Sequence, residues 1–169
     1  MRECAKCDRC YEDAVVVCPL DSTTTVHTLS GTPFLNGRYR LSQLLGRSSL
    51  GTVYLAQDEN LAEREVVVRL LEHPAASASG WEQVASRLAS VQSEHVVEVT
   101  DFGTGPDSSF FIVMDRLSCG TFAELVERSG KMTPERVLTL LKQVAAGVQA
   151  IEERGLLHGA LSPRNIFLE

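Results

Sequence analysis

Apolar and polar residues alternate along 38–45, which predicts a β-strand, and the run Glu65-Val66-Val67-Val68-Arg69-Leu70-Leu71 predicts another. The period then changes. Trp81, Val84, Ala85, Leu88 and Val91 recur at helical spacing, predicting a helix over 80–92 with Ser79 and Glu82 as its capping box. Thr121-Phe122-Ala123-Glu124 is a second capping box, opening a short helix that ends near Gly130. A longer helix follows, with Thr133 as its cap, Pro134 at its first position and Gly155 as its stop. Val137, Leu138, Leu141, Val144, Ala145, Val148 and Ile151 form one broad apolar face on it. Strands first and helices afterwards predict an α+β fold. The Thr/Ser-rich stretch leading to Pro33 reads as a connector.

Composition narrows the function. The chain has 169 residues and a formal net charge of −6, which argues against a strongly basic nucleic-acid surface. It contains no run of uncharged apolar residues long enough for a membrane span, and its first residues lack the apolar core of a secretory signal, so the expected location is cytoplasmic. Four of the five cysteines fall within the first eighteen residues, a pattern that in a reducing compartment indicates metal binding. The spacing is Cys4-x2-Cys7-x2-Cys10-x7-Cys18-x2-Asp21. A Cys-x2-Cys pair presents two thiolates at the tip of a tight turn, where both can meet one tetrahedral Zn²⁺. Cys4, Cys7 and Cys18 are the expected ligands. The fourth is Asp21 by position or Cys10 by softness, with His27 a weaker candidate. Four protein ligands leave no open coordination position, so the zinc would be structural and the module interactive, not catalytic. Arg2, Lys6 and Arg9 are offset by Glu3, Asp8, Glu12 and Asp13, which favours protein partners over nucleic acid.

The segment His158-Gly159-Ala160-Leu161-Ser162-Pro163-Arg164-Asn165-Ile166-Phe167-Leu168 resembles the catalytic loop of protein kinases, His-Arg-Asp-Leu-Lys-Pro-x-Asn. His158 and Asn165 match it, whereas Ala160 stands at the Asp position and Ser162 at the Lys position. Gly46-Arg47-Ser48-Ser49-Leu50-Gly51-Thr52-Val53 is similar to the glycine-rich loop, with Ser48 in place of the middle glycine. In the family's Val-Ala-Ile-Lys strand, Arg69 takes the lysine position, and counting back from Val97 puts Val84 at the glutamate that pairs with that lysine. The resemblance further implies strands over 96–102 and 110–115, with Met114 guarding an adenine pocket and Asp115 to Leu117 supplying its backbone groups. Asp101-Phe102-Gly103 spells the family's magnesium motif but precedes the His158 loop, so Asp101 is expected to be a strand-end acid without a metal role. The cysteine-rich start resembles the short zinc ribbons that precede some bacterial kinase-like domains.

These resemblances imply a zinc ribbon over 1–25, a linker over 26–34, a kinase-like N-lobe over 35–116 and a partial C-lobe over 117–169. The N-lobe would be a five-stranded antiparallel sheet with one helix. The chain would be a fragment ending after the catalytic loop, with part of the long helix left for the rest of the domain or another chain to cover. Nucleotide-binding positions would be Gly46, Ser48, Gly51, Val53, Arg69, Met114, Asp115 and Leu117. The expected function is that of a catalytically impaired kinase, a pseudokinase serving as a regulatory or scaffolding module with ATP and Mg²⁺ bound weakly or not at all. Two alternatives stand beside it. One is an active Ser/Thr kinase with displaced residues, opposed by the placement of Lys131 and Lys142 on the presumed C-lobe helices. The other is a zinc-ribbon interaction module with an inert domain attached. Cys119, after the hinge, is expected to be an incidental thiol.

Overall fold

The computed structural model describes residues 1–48, 51–71, 78–105 and 109–168. Ser49 and Leu50 of the glycine-rich motif, and Pro106 and Asp107 of the turn that the sequence predicts over 103–107, lie outside them. The chain divides into two compact units, Met1–Ala85 with Val99–Arg116, and Ser86–Glu98 with Leu117–Glu169.

The first unit starts with a small antiparallel sheet of β1 (Arg2–Glu3), β2 (Cys10–Tyr11) and β3 (Val26–His27), in the order β2-β1-β3. A larger sheet follows: β4 (Phe34–Leu35), β5 (Tyr39–Ser48), β6 (Gly51–Asp58), β7 (Arg64–Leu71), β8 (Val99–Thr104) and β9 (Phe110–Asp115). Its order is β4-β5-β6-β7-β9-β8, antiparallel throughout. This sheet has six strands, not the expected five. The additional one, β4, comes from the end of the segment read as a connector. Asn36 and Gly37, at φ 50° and 62°, turn the chain so that Leu35 pairs with Tyr39. Both angles are left-handed, the conformation that Asn and Gly adopt most readily in hairpin turns. Strand β3 likewise occupies the other end of 26–34, so that stretch carries sheet at both ends. Strand β8 begins at Val99, later than the 96–102 expectation.

The two faces of the large sheet differ. Tyr54, Ala56, Val66, Val68, Leu70, Phe111 and Val113 point to one side and form a dry core with Met1, Leu35, Tyr39 and Leu41. Cys10, Leu29 and Leu44 pack against that core, so the cysteine-rich segment covers this face. Their alternation partners Val53, Leu55, Val67, Arg69 and Met114 lie on the other face and are only half-buried. Asp101 anchors the sheet edge. It accepts hydrogen bonds from Arg38, at 3.1 Å, and from the Tyr39 hydroxyl, while Arg38 also forks onto the buried Asp58 at 2.7 and 2.9 Å. These contacts account for Asp101 as a structural acid.

Helix α1 (Ala78–Ala89) starts before Ser79, which therefore lies inside the helix instead of capping it. In the second unit, α2 (Phe122–Ser129) carries the full Thr121/Glu124 capping box. Helix α3 (Pro134–Glu152) is capped by Thr133, and Gly155 follows at φ 69°. The buried stripe of α3 is Leu140, Gly147 and Ile151, narrower than the expected face and turned from it. Gly147 is the reason: a Cβ there would meet the His95 carbonyl oxygen at 2.7 Å, so the helix makes its closest approach along the line through this glycine. Leu138 and Leu141 remain exposed.

Candidate functional site

Two turns of the N-terminal segment share one construction. In the first, the Cys4 N–H donates to Arg9 C=O at 3.0 Å and the Asp8 N–H to Cys4 C=O at 2.9 Å. In the second, the Cys18 N–H donates to Thr23 C=O at 2.8 Å and the Ser22 N–H to Cys18 C=O at 2.9 Å. Asp8 and Ser22, each four residues past its leading cysteine, are both left-handed, at φ 59° and 60°. Cys7 and Asp21 are thus equivalent positions in two matched turns. One ligand atom from each of Cys4, Cys7, Cys18 and Asp21 falls within 4.8 Å of all the others. Cys7 and Cys18 sulfurs are 3.7 Å apart, and Cys4 Sγ lies 3.3 Å from an Asp21 oxygen. Ligands held about 2.3 Å from a tetrahedral zinc ion stand roughly 3.8 Å from one another, so this set fits such an ion.

The surroundings favour the charged form at Cys18 and Asp21, whereas at Cys7 the Arg9 amide lowers the thiol pKa but burial and the neighbouring Cys4, Cys18 and Asp21 side chains outweigh it and push it up to about 11. The Lys6 N–H points to Cys4 Sγ at 3.4 Å, and the Tyr11 hydroxyl lies 3.2 Å from Cys18 Sγ. Burial raises the Cys18 thiol pKa, but the Tyr11 hydroxyl and the Leu20 and Asp21 amides outweigh it and hold it below its ordinary value. The Thr23 N–H, 2.9 Å from Asp21 Oδ1, keeps that carboxyl well below the usual range. Cys10 does not join the set. It packs on the core, where burial and the nearby Glu3 push its thiol pKa up to about 12. Of the three open candidates for the fourth position, Asp21, Cys10 and His27, the geometry brings Asp21 to the three sulfurs.

A second constellation lies on the half-buried sheet face. Gly46 pairs with Val53, Val53 with Arg69 and Arg69 with Ile112, forming one row across four strands. Met114 lies on the same face, two residues beyond Ile112. Ser48 donates its hydroxyl to the Gly51 carbonyl at 3.2 Å. Gly51 has a structural demand of its own: at φ 118°, its Cβ would stand 2.1 Å from the Leu70 carbonyl oxygen. Gly46 meets no such limit, with nothing within 4 Å of a Cβ. Arg69 is half-buried; its Nε has no hydrogen-bond partner, and desolvation alone lowers its pKa. A carboxylate within reach would pull that value the other way. Val84, on α1, is half-buried, and Glu82 is exposed. At the end of β9, Asp115 is held by Arg64 at 3.0 Å.

The remaining expected residues belong to the second unit, as does the half-buried Leu117. His158 C=O accepts from the Ala160 N–H at 2.8 Å, across Gly159 at φ 68°. Asn165 Nδ2 donates to Ala160 C=O at 2.7 Å, closing the loop on itself. A short helical turn, Pro163–Asn165, leads into a bridge between Phe167 and Thr121, and the Phe122 N–H donates to Ile166 C=O at 2.8 Å. The loop is therefore fixed against the start of α2.

Residues 39–169 match the family described as protein tyrosine and serine/threonine kinase. The chain belongs to the protein kinase family. It is 33% identical over 138 residues to the serine/threonine-protein kinase pkn2 of Myxococcus xanthus, covering 79% of this chain and 16% of that protein. It is 29% identical over 148 residues to the serine/threonine-protein kinase PknE of Mycobacterium tuberculosis, covering 85% of this chain and 25% of the relative. The chain thus spans a quarter or less of these curated relatives. The crystal structure of the Mycobacterium tuberculosis PknI kinase domain superposes with a TM-score of 0.65 at 27% identity, covering 85% of this chain and 59% of that one. The kinase fold, with its antiparallel-sheet N-lobe, follows from these matches. Among the described residues, no helix is long and apolar enough to cross a membrane.

Against the kinase pattern, the positions that depart, Ser48, Arg69, Val84, Ala160 and Ser162, are distributed over the β5–β6 hairpin, β7, α1 and the His158 loop. Sequence reasoning did not find Glu3, Arg47 and Tyr54. These three join the cysteine-rich segment to the β5–β6 hairpin through a buried carboxylate, and no local pattern marks them.

Proposed function

We propose that this chain is a catalytically impaired member of the kinase family, acting as a regulatory or scaffolding module through protein partners, with a structural zinc ion held by Cys4, Cys7, Cys18 and Asp21. The observation that carries the first part is Arg69. An active site needs a compact ammonium on this strand, paired with a glutamate and in contact with nucleotide phosphates. Here a guanidinium takes that place, half-buried, with Nε unpartnered and, among the described residues, no carboxylate acting on it. Arginine is not a substitute for lysine at such a site, because its planar fork requires different space and different partners.

The His158 loop supports the same reading. Ala160 offers a methyl group where the pattern has the Asp that accepts the substrate proton. Loss of a general base costs on the order of 10²- to 10⁴-fold in rate. Asn165 is accounted for by its bond to the Ala160 carbonyl, so its retention requires no metal.

For the zinc, the support is the convergence of three sulfurs and one carboxylate oxygen on matched turns. An ion there would supply folding energy and hold the two turns together, with no position open to substrate.

The test is thermal unfolding with ATP, with and without Mg²⁺, alongside phosphate incorporation from labelled ATP. A ligand specific to the native state raises the midpoint. The expected result is little or no shift and no incorporation. A clear Mg²⁺-dependent shift together with incorporation would establish an active kinase with displaced residues.

A further inference from the structure

The cysteine-rich segment is built into the part of the sheet that carries the glycine-rich motif. Glu3 precedes Cys4 on β1, and its side chain is 6% exposed. One of its oxygens accepts from the Tyr54 hydroxyl at 2.8 Å on the fully buried Tyr54 of β6, and the other pairs with Arg47 of β5. Arg47 and Tyr54 stand on opposite arms of the hairpin whose tip carries the glycine-rich motif. Two backbone links lie alongside. The Leu44 N–H donates to Asp8 C=O at 2.7 Å, and Arg9 forms an isolated bridge with Gln43. Asp8 directly follows Cys7, and the Arg9 carbonyl accepts from Cys4, so both links issue from the first metal-type turn.

The hairpin bears the imprint of these contacts. The β5–β6 register shifts twice, between Leu41 and Gln43 and again between Leu44 and Gly46, on either side of the two residues bonded to the turn. A bulge re-aims backbone groups and increases local twist. The Leu44 N–H is thereby given to Asp8.

We propose that Glu3, with the Asp8–Arg9 backbone, is a clamp through which occupancy of the Cys4/Cys7/Cys18/Asp21 site sets the conformation of the β5–β6 hairpin. The inference rests on reading that cluster as a metal site. A turn closed on an ion fixes Glu3 and Asp8, which flank its ligands, and they in turn fix both arms of the hairpin. Without the ion, the short strands of the ribbon have little to hold them, since metal binding supplies folding energy in modules of this size. The glycine-rich motif is then released although its own sequence is unchanged. Gain or loss of the metal would thus be transmitted to the β5–β6 hairpin with no nucleotide chemistry required.

The experiment uses the full chain loaded with Co²⁺ or Zn²⁺ and after stripping by chelator, with amide hydrogen exchange followed in 43–55 and, as an internal reference, in 66–68 and 111–113. Thiolate-to-Co²⁺ absorption reports the metal site independently. The expected result is exchange at least about tenfold faster in 43–55 on stripping, with the reference segments little changed. In Tyr54→Phe and Glu3→Gln, the Co²⁺ absorption should persist while the metal dependence of hairpin exchange falls well below that of the wild type, what remains being carried by the Asp8 and Arg9 backbone links. If the metal binds but hairpin exchange is the same with and without it, the clamp is wrong and the metal site stands. If no Co²⁺–thiolate absorption appears, both readings fail. Equal acceleration in the reference segments would show global unfolding and also overturn the clamp. The mild Tyr54→Phe variant keeps the ring in the core, so a folding failure of Glu3→Gln does not decide the outcome.

Discussion

The cysteine cluster and the positions that answer to the kinase pattern are built in opposite ways. In the cluster, four donor groups of suitable chemistry come from turns with matching hydrogen bonds, and their ligand atoms lie within 4.8 Å. At the kinase positions the scaffold is in order, with Gly46, Val53, Arg69 and Ile112 in register and the His158 loop closed by Asn165, while Arg69 and Ala160 differ from the Lys and Asp of the kinase pattern. The contrast separates two reasons for keeping a residue. Gly51 fits the nucleotide-loop pattern, yet its contact with Leu70 would require glycine in a protein that never meets ATP. Asn165 fits the metal-binding pattern, yet it holds the loop backbone. By contrast, three cysteines and an aspartate bring one ligand atom each within 4.8 Å of the others, an arrangement whose chemistry suits a metal ion.

The comparison can be broken most strongly at the metal site. Stripping the metal, or replacing Cys18 with Ser, is expected to unfold the two cysteine turns and loosen the β5–β6 hairpin bonded to them, with the 66–68 and 111–113 strands kept in place. At metal concentrations of about 1,000 times Kd, the stabilisation lost is about 4 kcal/mol, read as a fall in Tm. Purified protein holding less than half an equivalent of zinc would count against the site. Next is Gly51→Ala, which forces both a left-handed angle and a clash with the Leu70 carbonyl. A cost of about 2–3 kcal/mol is expected in urea unfolding, equal with and without ATP. A loss seen only when ATP is present would assign this glycine to nucleotide.

Asp58→Asn tests the sheet edge. Removing the charge-assisted bonds to Arg38 is expected to cost about 2 kcal/mol. The Arg38 guanidinium, against the opposing effect of burial, holds the Asp58 carboxyl below its ordinary range. A carboxyl depressed in the folded state contributes its stability above the unfolded value near 3.9 and loses it as pH falls through the lower folded value. The wild-type advantage over Asp58→Asn should therefore be full at neutral pH and shrink in acid. An advantage that grows on acidification would reverse the assignment. The smallest effect belongs to Arg69→Met. Replacing an unpartnered buried polar atom with an apolar chain is expected to be neutral or to stabilise by up to about 1 kcal/mol. A loss above about 2 kcal/mol would show that Arg69 has a partner the present reading denies it.

Much of the fold was legible in the chain. The Val66–Leu71 run, the Thr121 and Thr133 caps and the Gly155 stop rest on local periodicity and turn chemistry, and the strand and helices form there. Other features were not. The Asn36-Gly37 turn adds strand β4 only because Tyr39 and Arg40 are there to pair with it. The buried stripe of α3 runs through Leu140 and Gly147 because His95 approaches on that side, and helical periodicity cannot rank one apolar line above another without the neighbour. For the site, the cysteine spacing named three ligands but left the fourth between Asp21 and Cys10, which differ mainly in which way each faces once the core has formed.

The sequence alone determined the inventory: residues that follow the kinase pattern, with Arg69 and Ala160 where that pattern has Lys and Asp, and four cysteines grouped within the first eighteen residues. These are properties of residue identity and short spacing, and local geometry transmits them directly. Only the tertiary structure decided that Cys10 packs on the core while Asp21 joins the cluster, that Arg69 Nε is buried without an acid among the described residues, and that Glu3 reaches across to Arg47 and Tyr54. Each of these depends on groups far apart in the chain, Glu3 and Tyr54 by 51 residues, brought together by the burial of a shared core that no short window of sequence contains.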